Sequence, residues 1–133
     1  MLVMWDMRTG DVVCERTDVH TWHVWRMAVA ASGEFIVTCD CHDNRVMVWH
    51  AKTLAPMQTL EGHEGGVGGV TVSPDSTMIV SSDGYGVVKV WKQGEGQWML
   101  SAREQACTLR RSGGWQSQRA VSSSSPATAS TRE

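Results

Sequence analysis

Two groups of residues in this 133-residue chain carry side chains suited to chemistry. The first joins histidine, carboxylate and hydroxyl: His20, Asp43 and Thr38, with a second histidine and hydroxyl at His63 and Ser81. Such a set is the raw material of a hydrolase, in which histidine takes the hydroxyl proton and a carboxylate orients the ring. The second is the run Cys39-Asp40-Cys41-His42, whose thiol, carboxylate and imidazole donors are those that bind zinc. The surrounding sequence favours neither reading. No Gly-x-Ser-x-Gly elbow accompanies the hydroxyls, and each of these residues sits at a position that the chain repeats. Structural zinc sites space their cysteines more widely and draw a second pair from elsewhere, and only His20 and His23 could complete this one. Cys39 reads instead as a small strand residue and Cys41 as a turn residue. No catalytic residue, metal ligand or cofactor is therefore expected.

The repetition is the stronger signal. Residues 62–91 (GHEGGVGGVTVSPDSTMIVSSDGYGVVKVW) echo residues 20–49 (HTWHVWRMAVAASGEFIVTCDCHDNRVMVW). His20 pairs with His63, Val24 with Val67, Met27 with Val70 and Val29 with Val72, all at an offset of 43. The first copy then loses one residue before Asp43, so that Val46 pairs with Val88 and Trp49 with Trp91. A third closing signature, LVMWD, occupies residues 2–6, and Trp5, Trp49 and Trp91 lie 44 and 42 residues apart. Apolar runs of three to five, bounded by Gly, Pro, Asp and Ser, follow strand-and-turn grammar. Strands are expected near 24–29, 35–39, 45–49 and 55–60, then near 67–72, 77–81, 87–91 and 97–101. Residues 2–5 and 11–16 read as two earlier strands. Val46 and Val48 point one way, Met47 and Trp49 the other, and both sides are apolar, which predicts a strand covered on both faces.

A period in the low forties, made of short strands and closing on Trp, resembles the WD-repeat family of β-propellers over residues 2–101. The resemblance implies an all-β fold: a β-propeller segment, an open arc of about two and a half four-stranded antiparallel blades, with a disordered C-terminal tail. Residues 1–19 would be the last two strands of a partial blade, 20–61 the first full blade, 62–102 the second and 103–133 the Ser-rich tail. It also implies a hydrogen-bonded structural set: Trp on the third strand, Ser or Thr on the second, His before the first and Asp in the turn between second and third. His20, Thr38, Asp43 and Trp49 supply all four in the first blade. His63, Ser81 and Trp91 supply three in the second, where Tyr85 stands in place of Asp. Asp83, two residues earlier, either reaches the histidine or does not, and the second blade is expected to be the softer.

Charge is uneven. Residues 1–100 carry seven Lys or Arg against twelve Asp or Glu, and residues 101–133 carry five against two. An acidic repeat region argues against nucleic-acid binding, which needs a concentrated basic face. Arg110, Arg111, Arg119 and Arg132 are too dispersed to make a strong RNA footprint in the tail. Trp115 has no counterpart in the repeats. No signal peptide is expected at the start of this sequence, and no apolar run approaches the ~20 residues that span a membrane, so an intracellular protein is expected, cytoplasmic rather than nuclear. Cys14, Cys39, Cys41 and Cys107 form no disulfide framework. Closed propellers have about 4–8 blades. The expectation is thus a fragment of a longer array, or a chain completed by self-association or a partner chain.

The function expected is a non-catalytic protein-interaction scaffold that helps assemble a multiprotein complex. The alternative is a partial propeller of a larger protein whose catalytic or regulatory module lies elsewhere. By the resemblance, protein or peptide partners are gripped by the loops before the first strand and between the second and third. Trp22, His23 and His42 occupy those loops in the first blade. Gly65, Gly66 and Gly84 occupy them in the second, leaving little to grip.

Overall fold

Short apolar runs broken by glycine, proline and aspartate give no segment the length of a helix. The computed structural model describes residues 1–106 and 117–120, and every regular element among them is a strand. A two-stranded ribbon pairs β1 (Leu2–Trp5) with β2 (Val12–Arg16). The first full sheet runs in chain order through β3 (Arg26–Val29), β4 (Phe35–Asp40), β5 (Asp43–His50) and β6 (Pro56–Leu60). The second runs through β7 (Val67–Val72), β8 (Met78–Asp83), β9 (Val87–Gly94) and β10 (Gln97–Ala106), with β11 (Ser117–Ala120) beyond. All neighbours are antiparallel, and from β1 to β10 the paired strands are joined by short connections of two to six residues, too short for a parallel crossover. The β9–β10 turn is Glu95-Gly96, both at positive φ (53° and 82°), the mirror-image turn whose twist suits a hairpin.

Register repeats between the sheets. Ile36 lies opposite Trp49, and Ile79 opposite Trp91. The residue missing from the first copy is lost in the β4–β5 turn, where Cys41-His42 replaces Gly84-Tyr85-Gly86. One boundary differs from expectation. The last strand of the second sheet continues past residue 102, because β9 reaches back to Val87 and its ladder is completed only by Ala102–Gln105 after a bulge at Ser101. Arg103–Ala106 then pair with β11. Residues 107–116 and 121–133, the rest of the segment expected to be disordered, lie outside the described residues.

Alternation divides the first full sheet between two cores. Val37, Cys39, Val46 and Val48 face the second sheet and pack with Val67, Ile79, Trp91 and Trp98. Ile36 and Trp49 face the N-terminal ribbon and pack with Leu2, Val19 and Leu54, with Met4 and Met47 at the margin. Phe35 meets the Trp98 ring edge-on at 5.1 Å. Gln58 on β6 clasps the Trp98 backbone from both sides, donating to its carbonyl at 2.8 Å and accepting from its N–H at 2.7 Å. At the ribbon, Arg16 Nε donates to the Leu54 carbonyl at 3.0 Å. Trp49 and Trp91 are 2% and 4% exposed, whereas Trp5 is 56% exposed, since β1 has a neighbour on one side only among the described residues. No helix among them is long and apolar enough to cross a membrane.

Backbone of the two full sheets comes into close approach where the loop before β7 meets the β4–β5 turn. A Cβ on Gly66 would stand 1.6 Å from the Cys41 carbonyl oxygen, a backbone atom that cannot swing aside. Gly66→Ala should therefore cost about 1–3 kcal/mol or more by forcing the sheets apart. Gly68→Ala, where nothing lies within 4 Å, should change stability by less than about 0.5 kcal/mol. Urea unfolding of the two variants checks the contrast.

Candidate functional site

A buried indole can only donate a hydrogen bond, and Trp49 and Trp91 each find an acceptor in the core, whereas Trp98 Nε1 is buried without one. Trp49 Nε1 donates to Thr38 Oγ1 at 2.9 Å, and the same oxygen lies 2.9 Å from His20 Nε2. His20 Nδ1 is 3.3 Å from Asp43 Oδ2. In the second sheet Trp91 Nε1 donates to Ser81 Oγ at 2.9 Å, His63 Nε2 is 2.7 Å from that oxygen, and His63 Nδ1 is 2.9 Å from Asp83 Oδ2. The hydroxyl, having accepted from the indole, has its own proton to give to Nε2. Each ring is then the Nδ1–H tautomer, donating to its carboxylate.

Asp83 thus reaches His63, and Tyr85 is not needed for the set. The second set is also no looser than the first: its histidine contacts are the shorter, and the His63 and Asp83 side chains are fully enclosed. Burial pushes the His63 ring below its ordinary value, against the pull of Asp83. Burial alone would raise Asp83, but bonds from His63 and from the N–H groups of Val87 and Tyr85 outweigh it and hold the carboxyl below its usual range. Asp43 is also held low, first by the Arg45 guanidinium, which bridges it at 2.7 Å, and despite its burial. Hydroxyl, imidazole and carboxylate have the connectivity of a nucleophile relay. Yet Ser81 and Thr38 are buried, and each oxygen already accepts an indole N–H, so no substrate carbonyl can approach.

A different use of a carboxylate shapes the surface. Asp40 occupies the place in β4 that Asp83 occupies in β8, yet His20 is served by Asp43. Asp40 is therefore free to bind backbone. Its Oδ2 accepts from the N–H of Trp22 at 3.0 Å and of His23 at 3.1 Å, and its Oδ1 from His42 N–H at 2.9 Å. The buried carboxylate ties the loop before β3 to the β4–β5 turn, satisfying three donors at once. Trp22, 63% exposed, stands beside His42 with ring centroids 5.7 Å apart and beside His23 at 6.4 Å. The three residues expected to bind partners are thus brought together at one end of the first sheet.

Sequence reasoning missed two members of this end. Asp40 carried a readable signal, its alignment with Asp83 at an offset of 43, but nothing in the sequence says that it binds amides and not histidine. Tyr85 read only as a missing aspartate. It is 66% exposed, and its ring lies over Gly65, whose Cβ would meet it at 2.9 Å, so the second sheet's end is not a bare surface of glycines. Gly84 N–H, bonded to the Gly66 carbonyl at 3.1 Å, joins the two loops there. The side chains of Arg110, Arg111, Arg119 and Arg132, weighed for RNA, lie outside the described residues.

The family described as WD domain, G-beta repeat matches residues 13–50 and 54–92. Each match begins in or just before the last strand of one sheet and ends in the third strand of the next. Human WD repeat and SOCS box-containing protein 1 is 32% identical over 89 residues, 66% of this chain and 21% of that protein. Target of rapamycin complex subunit LST8 of Saccharomyces cerevisiae is 30% identical over 88 residues, 65% of this chain and 28% of its own length. Among solved structures, the WD40 repeats of RRP9 superpose with a TM-score of 0.64 at 23% identity, over 73% of this chain and 30% of that one. The chain thus spans less than a third of each of these proteins.

Ser81→Ala leaves the Trp91 indole N–H and His63 Nε2 without a partner inside the core, and should lower stability by about 1–3 kcal/mol. Urea unfolding followed by tryptophan fluorescence measures this. Stability should also fall on acidification. Below about pH 6.5 an unfolded chain protonates the histidine that the fold keeps neutral, so the unfolded state binds more protons and gains. Asp43 and Asp83, held below the ordinary 3.8, add a further loss as the pH falls through and below that value. Unfolding midpoints between pH 7 and 5 should slope less in His63→Gln than in the parent chain, although that variant is less stable throughout.

Proposed function

The chain belongs to the WD40 family, and on that premise we propose that it is a non-catalytic scaffold segment that helps assemble a multiprotein complex. WD40 propellers generally serve as protein-interaction scaffolds. The observation that carries the reading for this chain is the Asp40 clamp, which holds Trp22 exposed and fixed against His42. Ordering a large aromatic before binding removes part of the entropic cost of docking, and Trp is the residue most enriched among binding hot spots. Tyr85 extends the same kind of surface onto the second sheet. The partner would be a protein or peptide that inserts an apolar or aromatic side chain beside Trp22. A relative named as a complex subunit supports the assembly role. The three free thiols among the described residues, Cys14, Cys39 and Cys41, support a reducing, cytoplasmic setting. Where the chain is part of a longer protein, a catalytic or regulatory module would lie outside these repeats.

Trp22→Ala should reduce partner capture by the tagged chain about tenfold or more without moving its melting temperature, and His42→Ala should weaken it less. Met99→Ala, an exposed residue on the outer strand β10, serves as the control that leaves capture intact. Unchanged capture by both loop variants, in parallel affinity purifications, would sink the assignment of the surface.

A further inference from the structure

The run that the sequence set aside as a metal site assembles in the structure with different ligands. Cys39 is wholly buried among the apolar residues between the two sheets, so the pair Cys39 and Cys41 does not share a face toward an ion. His20 is likewise committed to Thr38 and Asp43. Instead Cys41, His42 and Asp40 converge. His42 Nδ1 lies 3.3 Å from Cys41 Sγ and 3.9 Å from Asp40 Oδ1, and one donor atom from each residue lies within 4.8 Å of the other two.

The direction of these contacts decides what they can do. Sulfur and carboxylate oxygen both approach the same ring nitrogen, so the trio cannot pass a proton from thiol to imidazole to carboxylate across the ring. Three donors crowding one point are instead a chelate. A tetrahedral zinc, with bonds of about 2.3 Å to sulfur and 2.0–2.1 Å to nitrogen and oxygen, sets its ligands roughly 3.4–3.6 Å apart; sulfur and nitrogen already lie 3.3 Å apart, and a movement of about half an ångström by the exposed His42 ring closes the 3.9 Å to Asp40. Asp40 Oδ1 uses one lone pair on His42 N–H and keeps a second for an ion.

We propose that Asp40, Cys41 and His42 form a binding site for a zinc-like divalent ion at the β4–β5 turn, with a fourth coordination position open to water. The donor set of one thiolate, one imidazole and one carboxylate suits zinc and its cobalt substitute and disfavours magnesium or calcium, which take oxygen ligands. The turn is held for the purpose from three sides. Asp40 is anchored by the amides of Trp22 and His23, the Cys41 carbonyl abuts Gly66, and the Trp22 ring flanks His42. Rigid support of this kind keeps ligands in place before the ion arrives. In the second sheet the matching turn, Gly84-Tyr85-Gly86, offers no donor side chain except the phenol. Metal binding needs no partner protein and is measured on the chain alone, so it stands or falls separately from the docking surface.

The test is cobalt(II) titration of the purified full chain in a phosphine reductant, followed by zinc competition. One equivalent of cobalt should bind with a thiolate-to-metal charge-transfer absorption, which zinc abolishes and magnesium does not. Cys41→Ser should lose that absorption, His42→Gln should weaken zinc binding by about tenfold or more, and the double variant Cys14→Ser/Cys107→Ser should retain both signals. His42 is exposed and Cys41 half-buried at the surface, so their variants should melt close to the parent. Alkylation provides a second readout on the unaltered chain: zinc should protect Cys41, located by peptide mass spectrometry, and leave Cys14 reactive. No charge-transfer band in the parent chain, a band that survives Cys41→Ser, zinc affinity unchanged in His42→Gln, or unprotected Cys41 would each overturn the proposal.

Discussion

A single hydroxyl shared between an indole and an imidazole organises each full sheet. Thr38 and Ser81 each accept from a tryptophan on the next strand and lie within bonding distance of a histidine from the loop before the first strand. Three parts of the chain therefore meet at one oxygen: β3's leading loop, β4 and β5 in the first sheet, and their counterparts in the second. A tryptophan buries a large apolar area, but an N–H left without an acceptor once water is gone costs stability, a cost the hydroxyl removes at Trp49 and Trp91 and that Trp98 bears. Placing the acceptor on the adjacent strand makes satisfaction and strand pairing the same event. Trp5 shows the converse: with a neighbour on only one side of β1 among the described residues, it remains exposed.

The carboxylate at the end of each chain of bonds is where the two copies diverge. Both sheets carry an aspartate at the end of their second strand, Asp40 and Asp83. In the second sheet that residue closes the set on His63. In the first, a further aspartate at the start of β5 takes over, backed by Arg45, and leaves Asp40 to gather three amides. Duplication of a structural role thus released one carboxylate for shaping a surface. Its three bonds hold the loop and the turn in fixed relation, and the aromatic and metal-binding groups at that end owe their placement to it.

Contact between sheets is as selective as the bonding within them. Side chains of β4 and β5 alternate between two cores, one toward the ribbon and one toward the second sheet. Polar groups fasten the margins: Gln58 on the Trp98 backbone at one side, and the glycine-only approach of Gly66 to Cys41 at the other. The seam sets the ends that carry the exposed Trp22 and Tyr85 on neighbouring sheets.

Periodicity alone determined most of the architecture. Eight strands of two sheets, the earlier strand pair, and the alternation of Val46 and Val48 against Met47 and Trp49 were all legible, and the lost residue was bracketed between Gly33 and Asp43, because strand period and turn chemistry are local properties. Trp49, Thr38, His20 and Asp43 were legible as a set only through resemblance. What tertiary structure decided was partnership at longer range. Whether Asp83 could replace the aspartate missing at Tyr85, that Asp40 binds amides, that Cys39 turns inward while Cys41 meets His42, and that β10 extends to Ala106 all depend on which atoms face one another across a turn or between sheets. A carboxylate in a sequence has several acceptor directions and many donors within reach. Only the folded backbone fixes which donors arrive, because a shift of one residue in a turn redirects every bond that follows it.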